Sequence, residues 1–186
     1  GEFAGSNGTC NVAGDDIWRV PEARAKVGYL PARADQPEFL SVEEAWQFHA
    51  AMRGAPDWDG ASRVEALGLP AKLVLAHASS GQRQRAELVC ALAGAPSVLL
   101  LDEPFASLDP IMAGELKALI AGILNSQPDM AMICVTHDGG DAEILANRLW
   151  YLDGKPARLQ WDDVLAEPGL VDGLLGRLRD LDLTGS

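Results

Sequence analysis

The chain has 186 residues, 48% of them hydrophobic, which is enough for one domain with an apolar core. Its formal net charge of −12 excludes a basic footprint for a nucleic-acid duplex, so we expect no nucleic-acid partner. Its apolar runs are too short to cross a bilayer and no signal peptide is visible, so any membrane role is expected to pass through another chain.

Two minor features concern the termini and the thiols. We interpret residues 1–5, which begin Gly-Glu-Phe, as a tag or disordered segment and exclude them from the fold. Cys10, Cys90 and Cys134 lack the spacing of a metal site, which favours a reducing compartment and buried thiols.

Short apolar runs alternate with helical periodicities, which predicts an α/β fold with a largely parallel sheet. In chain order the predicted elements are a strand at 25–30, a helix from 41, a helix at 59–67, a helix from 79 or 80 to about 94, a strand at 98–101, a helix from 109, a strand at 130–135, a hairpin around 153–154 and an amphipathic helix at 162–181. The run at 98–101 is typical of a strand covered on both faces. His49 falls on the apolar face of its helix, which favours a packed histidine over a ligand.

Asp102 and Glu103 follow the most apolar strand directly. In open α/β sheets the carboxyl ends of the strands are where ligands bind, and carboxylates there can hold Mg²⁺ or handle a proton. Taken alone, the pair is equally consistent with a strand that simply ends at solvent.

A second candidate segment is Ser79-Ser80-Gly81-Gln82. Ser79 and Gln82 have capping-box spacing, and Gly81 allows close backbone approach to a ligand. The exposed N–H groups of a helix N-terminus suit a phosphate. Without further context, an ordinary capped helix is the favoured interpretation of the segment.

The context comes from four segments in a fixed order. They are 78–85 (ASSGQRQR), 98–104 (VLLLDEP), 107–109 (SLD) and 135–138 (VTHD). They resemble the signature motif, the Walker B strand with its adjacent glutamate, the D-loop and the switch-histidine segment of the ABC ATPases. The resemblance covers the chain from about Gly8 onward.

The resemblance implies a P-loop NTPase-like (ABC ATPase) fold of the α/β class, with a mostly parallel sheet and a helical subdomain, but without the N-terminal strands and the P-loop. On this basis we assign residues 6–36 and 78–161 to the ATPase core, 37–77 to the helical subdomain and 162–186 to a C-terminal helical tail.

The same resemblance implies site roles and cofactors. Asp102 would hold Mg²⁺, Glu103 would polarise the water that attacks ATP, and His137 would contact the γ-phosphate. The residues expected to act in trans, by closing over ATP held by a partner subunit, are Ser79, Ser80, Gly81 and Gln82. Asp109 would lie at the dimer interface. ATP and Mg²⁺ are therefore the expected cofactors.

Three departures from the family pattern limit this interpretation. No G-x-x-x-x-G-K-[ST] sequence occurs, and residues 6–17 resemble the strand that follows the family's first helix, so we expect the chain to begin downstream of the phosphate loop. Ala32 stands where a glutamine is usual, with Gln36 as a candidate substitute. The signature segment has Ala78 and Ser80 where leucine and glycine are usual.

The missing loop has two expected consequences. Because the loop and its lysine supply most hydrogen bonds and positive charge to the phosphates, we predict that the chain alone does not hydrolyse ATP. Because the strand before the loop is also missing, strand 98–101 is predicted to lack a neighbour on one edge, with strand exchange, dimerisation or a covering rearrangement there.

We interpret the chain as the ATP-binding and ATP-hydrolysing subunit of an ABC transporter, or a fragment of it. The short helical segment at 40–77 favours a transporter over ABC proteins with long coiled-coil insertions. The expected partners are transmembrane permease subunits and a second ABC domain, and the expected location is cytoplasmic, peripheral to the inner membrane through a partner. The alternative is a non-catalytic, truncated ABC domain that only contributes its signature helix to a partner.

Overall fold

A computed structural model describes residues 9–33, 35–154 and 157–164, apart from the side chains of Trp161 and Asp163. The elements are β1 (Asn11–Val12), β2 (Asp15–Asp16), α1 (Pro21–Ala25), β3 (Val27–Leu30), α2 (Val42–Met52), α3 (Gly60–Ala66), a 3₁₀ turn (Leu75–His77), α4 (Ser80–Leu92), β4 (Val98–Asp102), α5 (Pro110–Ser126), β5 (Ala131–Val135), α6 (Gly139–Leu145), β6 (Arg148–Asp153) and β7 (Arg158–Val164). No helix in these ranges is long and apolar enough to span a membrane. The interpretation of residues 1–5 as a tag lies outside the described residues.

The central sheet is parallel, with strand order β3–β4–β5. Leu30 pairs with Leu101, and Asp102 pairs with Val135. The prediction that strand 98–101 lacks a neighbour is therefore wrong, because β3 and β5 occupy both edges of β4. The edge is not open to water, and within this chain β5 covers it without strand exchange or a dimer. Within the described ranges the outer edges belong to β3 and β5, so an incoming strand would pair there.

The two faces of this sheet differ in burial, because successive strand residues point to opposite sides. On one face Leu30, Leu99 and Leu101 are fully buried with apolar residues of α4 and α5. On the other face Tyr29 and Ile133 are 48% and 42% exposed. The prediction that β4 is covered on both faces is therefore wrong for the described residues, since its positions alternate between buried and half-buried. The prediction of a buried strand at 130–135 fails in the same way, because β5 alternates between exposed and half-buried positions.

Helices α2 and α3 lie in the segment predicted as a helical subdomain and pack against α4. Ser41 and Glu44 form the predicted capping box at the start of α2. Just past the other end of α2, the Arg53 guanidinium donates to the carbonyl oxygens of Cys90, Ala91 and Ala93. A cation at a helix C-terminus satisfies carbonyls that have no helical partner, so α2 is fastened to the end of α4. The limits of the core and subdomain remain predictions.

The predicted hairpin is confirmed by the antiparallel pairing of β6 with β7. β7 continues to Val164, so the prediction of a helix starting at Asp162 is wrong for its first residues. The reason is tertiary: Asp162 accepts hydrogen bonds from Arg148 and from the Trp150 indole of the paired strand. The rest of the predicted C-terminal helix lies outside the described residues.

The three cysteines differ in burial. Cys90 is buried, Cys134 is half-buried and Cys10 is exposed, so the prediction of buried thiols fails for Cys10. Burial raises the pKa of Cys90 and of Cys134, the latter to about 11. These two thiols are therefore protonated and unreactive at neutral pH.

Candidate functional site

The carboxyl ends of β4 and β5 bring three of the predicted site residues to one edge of the sheet. Asp102 is the last residue of β4, Glu103 follows it, and His137 lies two residues beyond β5. The Glu103 N–H donates to the carbonyl oxygen of Val135 at 2.8 Å, which ties the two loops together. Glu103 has a φ of +47°, a conformation that a residue other than glycine adopts only when its surroundings hold it there.

Glu103 and His137 form a side-chain pair. The imidazole Nδ1 donates to Glu103 Oε2 at 2.8 Å. The His137 side chain is 77% exposed, whereas that of Glu103 is 27% exposed. The hydrogen bond to Glu103, and then its negative charge, raise the pKa of His137. The pair can therefore hold a proton between an acceptor carboxylate and a donor imidazole.

We predict that His137 titrates above its ordinary pKa of about 6.5 and that His49 titrates below it. Burial, followed by the nearby charge of Arg53, lowers the pKa of His49. Because the pKa of folded His137 is raised, its contribution to stability is full below about pH 6.5 and is lost as pH rises through the folded pKa.

Ring-proton NMR titration measures both midpoints. Glu103→Gln is expected to move the His137 midpoint down toward its ordinary value and to leave that of His49 in place. A His137 midpoint at or below that of His49 in the unchanged chain contradicts the prediction.

Asp102 has a neighbour that sequence reasoning missed. The Tyr29 hydroxyl lies 3.4 Å from Asp102 Oδ2, and the pKa of Tyr29 is raised by burial and then by the Asp102 charge. Tyr29 pairs with Leu100, two residues before Asp102, so Tyr29 and Asp102 share the less buried face of the sheet. The alternation in β3 would have placed Tyr29 on that face, but the register against β4 was needed to bring it to Asp102.

The oxygens at this edge suit a hard cation such as Mg²⁺, for which Asp102 is the candidate ligand. In the described residues no group of three or more His, Cys, Asp or Glu side chains could hold a metal ion by itself. The side-chain partners of Asp102 and Glu103 there are Tyr29 and His137, without a lysine or arginine. These residues therefore suit a Mg²⁺ ion and a water molecule beside a bound nucleotide. They do not by themselves suit the triphosphate of the nucleotide, because its negative charge requires positively charged partners.

The signature segment forms the capped helix start that its spacing predicts. Ser79 Oγ accepts from the Gln82 N–H at 3.2 Å, and Gln82 Oε1 accepts from the Ser79 N–H at 2.9 Å. Ser80 is the exposed first residue of α4. Gly81 is buried, and a Cβ there would overlap the methyl group of Met112. The small size of Gly81 is therefore used in packing α4 against α5, whether or not a ligand approaches.

A buried side chain connects the signature helix to the acidic edge. Gln84, 4% exposed on α4, donates from Nε2 to the carbonyl oxygen of Pro104 at 2.9 Å. Pro104 follows Glu103 directly, so the start of α4 and the loop that carries Glu103 are linked. A polar residue on an otherwise buried helix face was the available sequence signal for this contact.

Asp109 and Gln36 have clear structural partners. Asp109 caps α5 by accepting from the N–H groups of Ile111 and Met112 at 3.0 and 3.1 Å, and its place at a dimer interface remains a prediction. The Gln36 amide donates to Glu87 at 3.0 Å and lies 3.0 Å from His49 Nε2. The Gln36 side chain is therefore held between α2 and α4, and no hydrogen bond of the described residues joins it to Asp102.

Comparison with known proteins identifies the family to which the chain belongs. A sequence model of the ABC transporter family matches residues 1–106. The sulfate/thiosulfate import ATP-binding protein CysA of Mycobacterium tuberculosis is 34% identical over 153 residues, covering 76% of this chain and 42% of that protein. The thiamine import ATP-binding protein ThiQ of a Chelativorans species is 33% identical over 157 residues, covering 79% of this chain and 62% of that protein.

Solved structures support the same fold. A dimeric bacterial ABC transporter cassette superposes with a TM-score of 0.74 at 19% identity, covering 87% of this chain and 75% of that one. The ATP-binding subunit of an ABC transporter superposes with a TM-score of 0.73 at 26% identity, covering 86% and 68%. The chain belongs to the ABC transporter family and has the ABC ATPase fold. It spans 42% to 62% of the length of the two curated relatives.

Proposed function

We propose that this chain is part of the ATP-hydrolysing subunit of an ABC transporter, of the import type named for its curated relatives. The observation that carries the proposal is the Glu103–His137 pair at 2.8 Å, beside Asp102 at the carboxyl edge of a parallel sheet. The proposal is supported by a proton acceptor, a proton donor and a carboxylate that suits Mg²⁺, all at the edge where open α/β sheets bind their ligands.

Each residue has a role that its contacts permit. Asp102 offers a carboxylate oxygen to Mg²⁺, which when bound neutralises phosphate charge. Glu103 accepts the proton of the attacking water at its carboxylate. When its ring is protonated, which its raised pKa favours, His137 uses Nδ1–H for Glu103 and has Nε2–H to donate to a phosphate oxygen. We assign Ser79 to Gln82 to a nucleotide held by a second ABC domain, since Ser79 and Ser80 at the start of α4 are exposed.

An apolar surface on α2 supports a membrane-subunit partner. Phe48 and Met52 lie one turn apart and are 57% and 72% exposed, and Phe39, shortly before the helix, is 79% exposed. Large apolar side chains grouped in this way favour a protein partner over solvent. We propose that a transmembrane permease subunit covers them and holds the protein at the inner face of the membrane.

We predict that the 186-residue chain alone does not hydrolyse ATP. The phosphates require several charge-assisted hydrogen bonds of about 1.5–3 kcal/mol each, and the described edge supplies no lysine or arginine for them. Phosphate release from MgATP is the measurement, with Glu103→Gln as the control. Turnover by the unchanged chain above that of the control contradicts the prediction.

Mixing with a complete ABC subunit separates the proposal from the alternative of a non-catalytic domain. If the chain is catalytic, Glu103→Gln lowers the turnover of the mixture. If it only contributes its signature helix, Glu103→Gln behaves as the unchanged chain, and Ser80→Arg, which places a bulky charge at the start of α4, is the variant that removes stimulation.

A further inference from the structure

A buried ionic cluster joins the two loops that carry the Glu103–His137 pair. We call it the anchor cluster; its members are Phe105, Lys117, Thr136 and Asp141. Lys117 Nζ of α5 lies 2.5 Å from Asp141 Oδ1 of α6. The Thr136 hydroxyl donates to Asp141 Oδ2 at 2.6 Å and accepts from the Asp138 N–H at 3.0 Å. Lys117 Nζ is also 5.1 Å from the centre of the Phe105 ring.

Because the anchor cluster is buried, its charged side chains can occupy few positions. The side chains of Lys117 and Asp141 are 14% and 4% exposed, and Phe105 is 7% exposed. Removing two charges from water is costly unless both find close partners. The ion pair, the Thr136 hydroxyl and the face of the Phe105 ring supply those partners. The cluster therefore permits little movement of the segments that carry its members.

Those segments are the two loops that carry the reactive pair. Phe105 lies two residues after Glu103, and Thr136 immediately precedes His137. Lys117 contacts Phe105 directly and reaches Thr136 through Asp141. One side chain of α5 thus contacts one loop directly and the other through Asp141, and Glu103 and His137 of the same two loops are hydrogen-bonded to each other.

We propose that Lys117 is a positioning residue that holds Glu103 and His137 at hydrogen-bonding distance by fastening both loops to α5. Lys117 acts through Phe105 and Asp141 and touches neither reactive side chain. The consequence for ATP hydrolysis rests on the proposed function, but the geometry can be tested without nucleotide.

The test replaces Lys117 by methionine, which keeps most of the length of the unbranched side chain and removes its charge. Loss of the Lys117 charge by itself raises the pKa of His137, whereas an Asp141 left without its cation can take up a proton and lose the charge that raises that pKa. If Lys117 positions the pair, the Glu103 bond loosens, and the pKa of His137 falls both in Lys117→Met and in a variant that keeps Asp141 charged. NMR titration of the His137 ring in the full chain is the measurement.

We expect a downward shift of the His137 midpoint in Lys117→Met, with faster hydrogen exchange of the Glu103 and Asp138 amides. Lys117→Arg is the matched variant, because arginine keeps the charge and can pair with Asp141. It should leave the His137 midpoint and the exchange rates of the two amides as they are in the unchanged chain. A His137 midpoint that stays in place or rises in folded Lys117→Met overturns the proposal.

Lys117→Met leaves Asp141 buried without its cation and can therefore unfold the chain. Thr136→Val covers that case, because it removes the hydroxyl that joins Asp141 to the loop while keeping every charge. The same downward shift is expected, and an unchanged midpoint in folded Thr136→Val overturns the proposal. Since no nucleotide is present, failure of the ATPase assays would refute the proposed function and leave this result standing.

Discussion

Replacing Glu103 by glutamine is expected to lower kcat for ATP hydrolysis by about 10²–10⁴-fold in the assembly that contains this chain. An amide cannot accept the proton of the attacking water, whereas it nearly keeps the size of the carboxylate. The partner ABC domain should carry the same replacement of its own glutamate, so that the turnover measured comes from the Glu103 site. We expect nucleotide affinity to change far less than kcat, because Glu103 acts on the water.

The matched control is Glu65→Gln, at an exposed position of α3 away from the sheet edge. It removes the same charge from the chain without touching His137 or Asp102. Equal losses of kcat in the two variants would attribute the effect to net charge and contradict the role of Glu103. Retained turnover in Glu103→Gln would contradict it directly.

Replacing Gly28 by alanine is expected to destabilise the fold by about 3 kcal/mol or more. A Cβ at Gly28 would overlap the backbone carbonyl oxygen of Ala91 in α4 and lie 3.0 Å from Pro96 Cγ. Backbone atoms cannot move aside as a flexible side chain can, so β3 and α4 would have to separate. A loss of this size is a large part of the 5–15 kcal/mol typical of a folded domain.

Urea denaturation followed by circular dichroism measures the loss, and Gly114→Ala provides the control. Gly114 lies on α5 with open space where its Cβ would be, so alanine there should leave stability unchanged or raise it by about 0.5–1 kcal/mol. A Gly28→Ala chain within about 0.5 kcal/mol of the unchanged one, the usual range for harmless surface changes, would show that β3 and α4 are not in close contact.

Elements defined by neighbouring residues could be predicted from the sequence. The capping boxes at Ser41 and Ser79 and the Asp109 cap of α5 all form as their spacing predicts. These features depend on hydrogen bonds across two or three residues, so the local sequence contains all of their partners. The local sequence also predicted that Asp102 and Glu103 lie at the end of a strand, because both directly follow an apolar run.

Features that join distant parts of the chain could not be predicted in this way. The sequence indicated strands at 25–30 and 98–101, but it did not show that β3 and β5 would satisfy both edges of β4. Nor did it show that Tyr29 would approach Asp102, since a contact between residues 73 positions apart depends on the register of two strands.

The sequence by itself determined the family motifs, the helix caps and the chemical types available at the strand ends, because each is written in a few adjacent residues. Only the tertiary structure decided which side chains meet. The hydrogen bond between Glu103 and His137 exists because parallel strands bring their carboxyl ends to one edge, and the Lys117–Asp141 ion pair exists because α5 and α6 pack together. Such contacts depend on long-range packing, which no local pattern specifies.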